Sequence, residues 1–179
     1  MNLLDLPPGF DDPVATLLGF HRRIERQLAA LGHLPHRLEV SGIDAESAAA
    51  AASILDFFSD AIAIHHADEE ELLPVLEMRA AGRTEREAIG ELREHLVAEH
   101  REMDRTWRSL RRPLEGIAEG VNRNLPCDLI QYFRACHATH ISAEEAGLHL
   151  AAARRLLPSD RAALGRGMAV RRTRKYRFQ

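Results

Sequence analysis

The sequence predicts an all-α protein: an antiparallel up-down four-helix bundle with a short C-terminal helix. Three observations lead there. Apolar residues recur in alternating steps of three and four along four long stretches, the spacing of a single helical face. No stretch alternates with the period of two that marks a half-buried strand. The connections between the long stretches are short, as they are between antiparallel neighbours.

The bulk numbers suit one domain. A chain of 179 residues can bury a sizeable core. A formal net charge of −3, with pI near 6.4, gives no reason to expect nucleic acid as a partner. The two cysteines, Cys127 and Cys136, form no CxxC pair. That argues against a disulfide framework or a thiolate zinc site and makes the cytoplasm the expected compartment. No apolar run approaches the roughly 18 residues that would span a membrane, and the N-terminus lacks the basic segment of a signal peptide. The ten histidines stand out.

Residues 1–11 are expected to form an arm, 12–157 the bundle, and 158–179 a short helix and basic tail. Asp11 and Asp12 before Pro13 read as a cap followed by a proline in the first turn. The first seam is Val14, Leu17, His21, Ile24, Leu28 and Leu31. Gly32 to Gly42 reads as a linker. The second helix starts after Asp44 and runs to Gly82, with Leu55, Phe58, Ile62, His65, Glu69, Leu72 and Leu76 facing inward. Pro74 is placed to kink it. Thr84-Glu85-Arg86-Glu87 reads as a capping box opening the third helix, whose seam includes Leu96, His100, Met103 and Trp107. Pro126 can start the fourth, with Ile130, Phe133, His137, His140, Glu144 and Leu148 inward. Pro158 ends it. Ser159 to Gly167 reads as a short fifth helix, and Arg171 to Arg177 as a basic run.

Each long helix thus sets one histidine into its apolar seam: His21, His65, His100 and His140. Two add a carboxylate one turn on, Glu69 and Glu144. Imidazoles and carboxylates are expensive to bury, and metal coordination is the usual way to make such a seam stable. Four imidazoles and two carboxylates suit first-row transition metals, and two carboxylates can bridge a metal pair. Together they supply about eight donors against about twelve for two octahedral ions, which leaves positions for an exogenous ligand. No ExxH or HExxH motif occurs. His66 and Glu70 read as flanking the site. Asp68, Glu71 and Glu145 read as a solvated face, and His33, His36 and His149 as surface residues.

The His21 helix, His65-His66-Ala67-Asp68-Glu69-Glu70-Glu71-Leu72-Leu73-Pro74, Glu99-His100 and His140-Ile141-Ser142-Ala143-Glu144-Glu145 resemble the hemerythrin-like (HHE cation-binding) domain over roughly residues 12 to 157. The ending Leu164-Gly165-Arg166-Gly167-Met168-Ala169-Val170-Arg171-Arg172 resembles the tail of some bacterial members. The resemblance implies two iron ions (Fe2+/Fe3+) with a bridging oxide or hydroxide, Glu69 and Glu144 as bridging ligands, and His21, His65, His100 and His140 as terminal ligands. Leu96 stands where the invertebrate oxygen carriers have a histidine. The last pair, His140 and Glu144, is four residues apart rather than five. That pattern is closer to bacterial members. His137 stands where related sequences often have Tyr, as a donor behind the ligands or a substitute ligand.

The implied function is binding or sensing of dioxygen or another small diatomic ligand. The alternatives are a di-iron enzyme acting on peroxide or nitric oxide, an iron donor in iron–sulfur cluster repair, and a helical bundle without metal. A homodimer is left open, and neither a membrane nor a nucleic acid is expected as a partner.

Overall fold

A computed structural model describes residues 10–175, with side chains as far as residue 173. Residues 1–9 of the expected arm, and Tyr176 and Arg177 of the basic run, lie outside the described residues. The described chain is all-helical, with no strand. Helix α1 spans Pro13–Ser41, α2 Ala45–Asp56, α3 Ile62–Arg79, α4 Arg83–Ala118, α5 Cys127–Ala143, α6 His149–Arg155 and α7 Pro158–Lys175. Two π-helical turns, Phe57–Ala61 and Glu144–Leu148, join α2 to α3 and α5 to α6. The result is five continuous helices.

The starts follow side-chain capping. Asp12 Oδ1 accepts the Val14 N–H at 3.0 Å and opens α1 around Pro13. Asp44 and Ser47 form a reciprocal box at α2: the Ser47 N–H donates to Asp44 Oδ1 at 2.7 Å, and the Asp44 N–H to Ser47 Oγ at 2.9 Å. At α4 the expected box is not the device used. The helix opens at Arg83, and the Glu85 carboxylate reaches back to the Ala81 N–H at 2.6 Å. Gly42, at φ +69, and Gly120, at φ +74, follow the ends of α1 and α4 in the left-handed conformation that closes a helix.

Two lengths differ from expectation. The stretch expected as a linker is the last part of α1, which runs on through Gly32 and Pro35. An interior proline costs a helix about 3 kcal/mol. Leu31, Leu34 and Leu38, all buried around it, each return about 1.5–3 kcal/mol, so continuation wins. The C-terminal helix is not short: α7 has 18 residues and absorbs the start of the basic run. It is pinned by Arg79, whose guanidinium donates twice to Asp160, at 2.8 and 2.9 Å. At Gly165 a Cβ would lie 1.9 Å from the Phe10 carbonyl oxygen, so only glycine permits that approach.

The chain divides into two compact units. Among the described residues the first takes the chain up to Arg22, Ile64–Val97 and everything from Ser142 onward. Its core is aliphatic, built on Leu17, Leu72, Leu76, Leu96, Leu148 and Met168. The second takes Arg23–Ala63 and Ala98–Ile141. Its core is aromatic at the centre, where Phe58 lies 5.2 Å from Trp107 and 5.1 Å from Phe133 between ring centroids.

The expectation about apolar runs needs a correction. By length and composition the helix Ala45–Arg79 is long and apolar enough to cross a membrane, with an 18-residue window of mean hydropathy 1.5. The alanine-rich stretch before Ile64 raises that mean although Asp56 and Asp60 interrupt it. Core helices of proteins without a membrane pass the same test. The same helix also buries His65, His66, Asp68 and Glu69, which hydrocarbon would not satisfy.

Candidate metal centre

The donors of the first unit come from three places on the chain. Helix α3 carries His65 and Glu69 one turn apart, with His65 Nε2 2.8 Å from Glu69 Oε1. Helix α1 brings His21, whose Nε2 lies 3.0 Å from Glu144 Oε2 and 3.7 Å from Glu69 Oε1. The second π turn supplies Glu144. Donor atoms of His21, His65, Glu69 and Glu144 all lie within 4.8 Å of one another, and all four residues are buried.

The contacts are close, yet neither His21 Nε2 nor His65 Nε2 is aligned for a hydrogen bond. Tautomer explains what the His21 ring is aligned for. His21 Nδ1 faces Glu145 Oε1 at 3.1 Å and donates its N–H there. In the neutral ring that leaves a lone pair on Nε2, aimed at the carboxylate oxygens. Lone pairs gathered round one point repel unless a cation stands among them.

The electrostatics agree. Burial pushes the His21 imidazolium down, but the Glu144 and Glu69 carboxylates outweigh it and push the group up to about 10. Two fully buried carboxylates therefore demand positive charge, and either a proton on His21 or a metal ion meets the demand. Nitrogen and oxygen donors in this mixture fit a first-row transition ion, so these residues fit the metal expected of them.

The second unit carries the other two expected histidines. His100 Nε2 and His140 Nε2 approach to 3.2 Å, with rings 4.8 Å apart. His140 Nδ1 lies 2.9 Å from Glu99 Oε2, the same arrangement that Glu145 makes with His21. A carboxylate behind the far nitrogen fixes the tautomer and raises the basicity of the near one. His137 is buried on the same helix as His140, with Nδ1 bonded to the Phe133 carbonyl at 2.9 Å.

Several residues assigned to the surface are not there. His149 is buried, its ring stacked on His21 with centroids 5.0 Å apart. Burial first, then the charge of His21, pushes it down to about 4, so it is neutral. The cause is the π turn: the His149 N–H bonds to the Glu144 carbonyl five residues back, which turns His149 toward the face that Glu144 occupies. Asp68 is fully buried rather than solvated. Arg171 Nε reaches its Oδ1 at 2.5 Å and Arg172 forms an ion pair with Oδ2 at 2.7 Å. Glu71 also meets Arg171. Glu145 is half-exposed but bonded to His21. His66 is buried, whereas Glu70, His33 and His36 are exposed as expected.

A family model described as the hemerythrin HHE cation-binding domain matches residues 12–152. The chain is also 28% identical over 137 residues to an uncharacterised protein of Haemophilus influenzae, covering 76% of each chain.

Proposed function

Because the chain belongs to the hemerythrin HHE cation-binding domain family, we propose that it holds a pair of iron ions and binds or senses dioxygen or a related small ligand there. The supporting observation is the buried quartet of His21, His65, Glu69 and Glu144, with imidazole lone pairs and carboxylates gathered within one ion's reach. We assign the remaining donors to His100 and His140. His66, read as flanking the site, is a further candidate because it is buried. This assignment takes α1, Ala45–Arg79, α4 and the helix from α5 through α6 as an antiparallel four-helix bundle, each with an apolar seam.

The chain's own residues do the work of binding and orientation. Glu145 and Glu99 hold the Nδ1 protons of His21 and His140, so that each Nε2 presents a lone pair. Glu69 and Glu144 supply the negative charge and would be the bridging ligands of a metal pair. Leu17, Leu72 and Leu148 seal the first unit's core against water. Bound iron would supply the open coordination positions and the redox chemistry that a diatomic ligand needs. Both cysteines are free thiols, as suits a reducing cytoplasm.

The test is to load the full chain anaerobically with ferrous iron, measure metal per chain, then admit air. The expected results are about two ions per chain and a new charge-transfer band in the near ultraviolet. A chain that retains no iron, or one whose spectrum ignores air, nitric oxide and peroxide alike, overturns the proposal. Turnover of peroxide or nitric oxide beyond one equivalent would make it an enzyme instead of a binder.

A further inference from the structure

His21 and His65 are each covered by a stacked ring. On His65 the cover is Phe20, with centroids 4.5 Å apart and planes 20° apart. On His21 it is His149, at 5.0 Å and 22°. The two covers pack alike, but only one of them carries nitrogens. His149 is 4% exposed, and neither its Nδ1 nor its Nε2 has a hydrogen-bond partner among the described residues. A phenylalanine would cover His21 without stranding two polar atoms, as Phe20 shows next door. Buried polar groups left unsatisfied are rare and point to an occupant, an ordered water or a ligand.

The occupant can be narrowed by counting. The quartet offers four donor residues, whereas an octahedral first-row ion takes about six ligands. With each carboxylate giving one oxygen, an ion at the quartet would keep about two positions for an exogenous ligand, and His149 is stacked on its His21 donor. His149 is not itself one of the grouped donors. A neutral imidazole offers one N–H donor, which suits it to hold a small polar molecule that accepts a hydrogen bond.

We propose that His149 is the residue that hydrogen-bonds the exogenous ligand at the His21/His65 end of the site, and that this ligand is a small hydrogen-bond acceptor of two or three atoms. The inference rests on the metal reading above. The π turn at Glu144–Leu148 gives both groups their aim: it carries Glu144 as a donor and begins the rotation that brings His149 to the same face. Within the site His149 selects for ligands that can accept a hydrogen bond over apolar diatomics that cannot.

The experiment uses the full iron-loaded chain, oxidised, with azide as the probe. His149→Phe keeps a ring on His21 and deletes both nitrogens. Iron content is expected to stay at the wild-type value, while azide binds roughly tenfold or more weakly and leaves faster. His149→Gln, which retains an N–H, is expected to recover part of the affinity. In the metal-free state, His149→Phe is expected to melt higher than wild type, because two stranded polar atoms are gone. Unchanged azide affinity in iron-loaded His149→Phe overturns the inference and leaves a packing ring or an internal water. Loss of iron in that variant also overturns it, by making His149 a ligand. Failure of the wild type to load iron is a different result, and it brings down the metal reading itself.

Discussion

The two units carry similar imidazoles in different electrostatic company. His21 and His140 each lean Nδ1 on a carboxylate, Glu145 at 3.1 Å and Glu99 at 2.9 Å. Their near nitrogens face different things. His21 Nε2 meets the Glu144 carboxylate, whereas His140 Nε2 meets another imidazole. Among the described residues all three buried carboxylates, Asp68, Glu69 and Glu144, fall in the first unit. Those three are handled in two ways. Asp68 has permanent cations in Arg171 and Arg172. Glu69 and Glu144 face imidazoles, whose charge depends on a proton. Neighbours on one helix thus separate a structural charge, already neutralised, from a charge that could hold an ion. The first unit carries buried negative charge beside its imidazoles, and the second has imidazoles without buried negative charge of its own.

The largest expected effect tests that asymmetry. Glu144→Ala should reduce the iron retained after gel filtration to near zero, whereas His100→Ala should keep about one ion per chain. Metal analysis of both variants decides it. If His100→Ala empties the chain as completely as Glu144→Ala, the first unit has no independent hold and the comparison breaks.

Next in size is the neutralised charge. Replacing both Arg171 and Arg172 with Ala strands the Asp68 carboxylate in the interior, and breaking a buried pair in this way costs about 3–5 kcal/mol. Adding Asp68→Asn should recover part of the loss, because no charge is then left unpaired. Urea unfolding of the double and triple variants measures both. A loss below about 1 kcal/mol in the double variant would mean that water reaches Asp68.

These two groups also mark what could be read from the sequence. The seam histidines and carboxylates were legible because a 3.6-residue period, kept up to the start of each π turn or resumed after it, sets side chains on one face. His21, His65, Glu69, His100, His140 and Glu144 are all buried. His149 was not legible by that period. Five residues on from Glu144 is about 140° round an α-helix, and the π turn removes much of that angle. Asp68 looked like any acid in an acidic run, since its arginines lie 103 and 104 positions away and no local pattern reports them. Gly32 and Pro35 signalled a break, but the buried leucines around them outweigh both.

A smaller effect sharpens the likeness between the units. Glu145→Gln and Glu99→Gln each keep a polar group behind an imidazole but remove the charge that makes its near nitrogen basic. Outer partners of this kind are worth about 10–100-fold in metal affinity. Glu145 is 48% exposed and Glu99 21%, so solvent screens the first more. Chelator competition should therefore place Glu145→Gln near the lower end and Glu99→Gln nearer the upper. The reverse order would show that the first unit's imidazole depends more on its outer carboxylate, despite having inner ones.

The smallest effect is a control on stability without metal. Asp44 caps α2 and takes two bonds from Arg37, at 3.3 and 2.6 Å. The Arg37 guanidinium, then the Ser47 N–H, holds its carboxyl well below the ordinary 3.8. A carboxyl depressed in the folded state stabilises at pH values above its unfolded value, and the gain is lost as pH falls through the folded one. Asp44→Ala should therefore lower the melting temperature slightly at pH 7 and leave iron content unchanged. The gap from wild type should narrow as the pH drops below about 4. A gap that stays constant into acid would assign the effect to helix propensity at position 44, with no contribution from the charge. Loss of iron at pH 7 would join this cap in the second unit to a site whose buried carboxylates are all in the first.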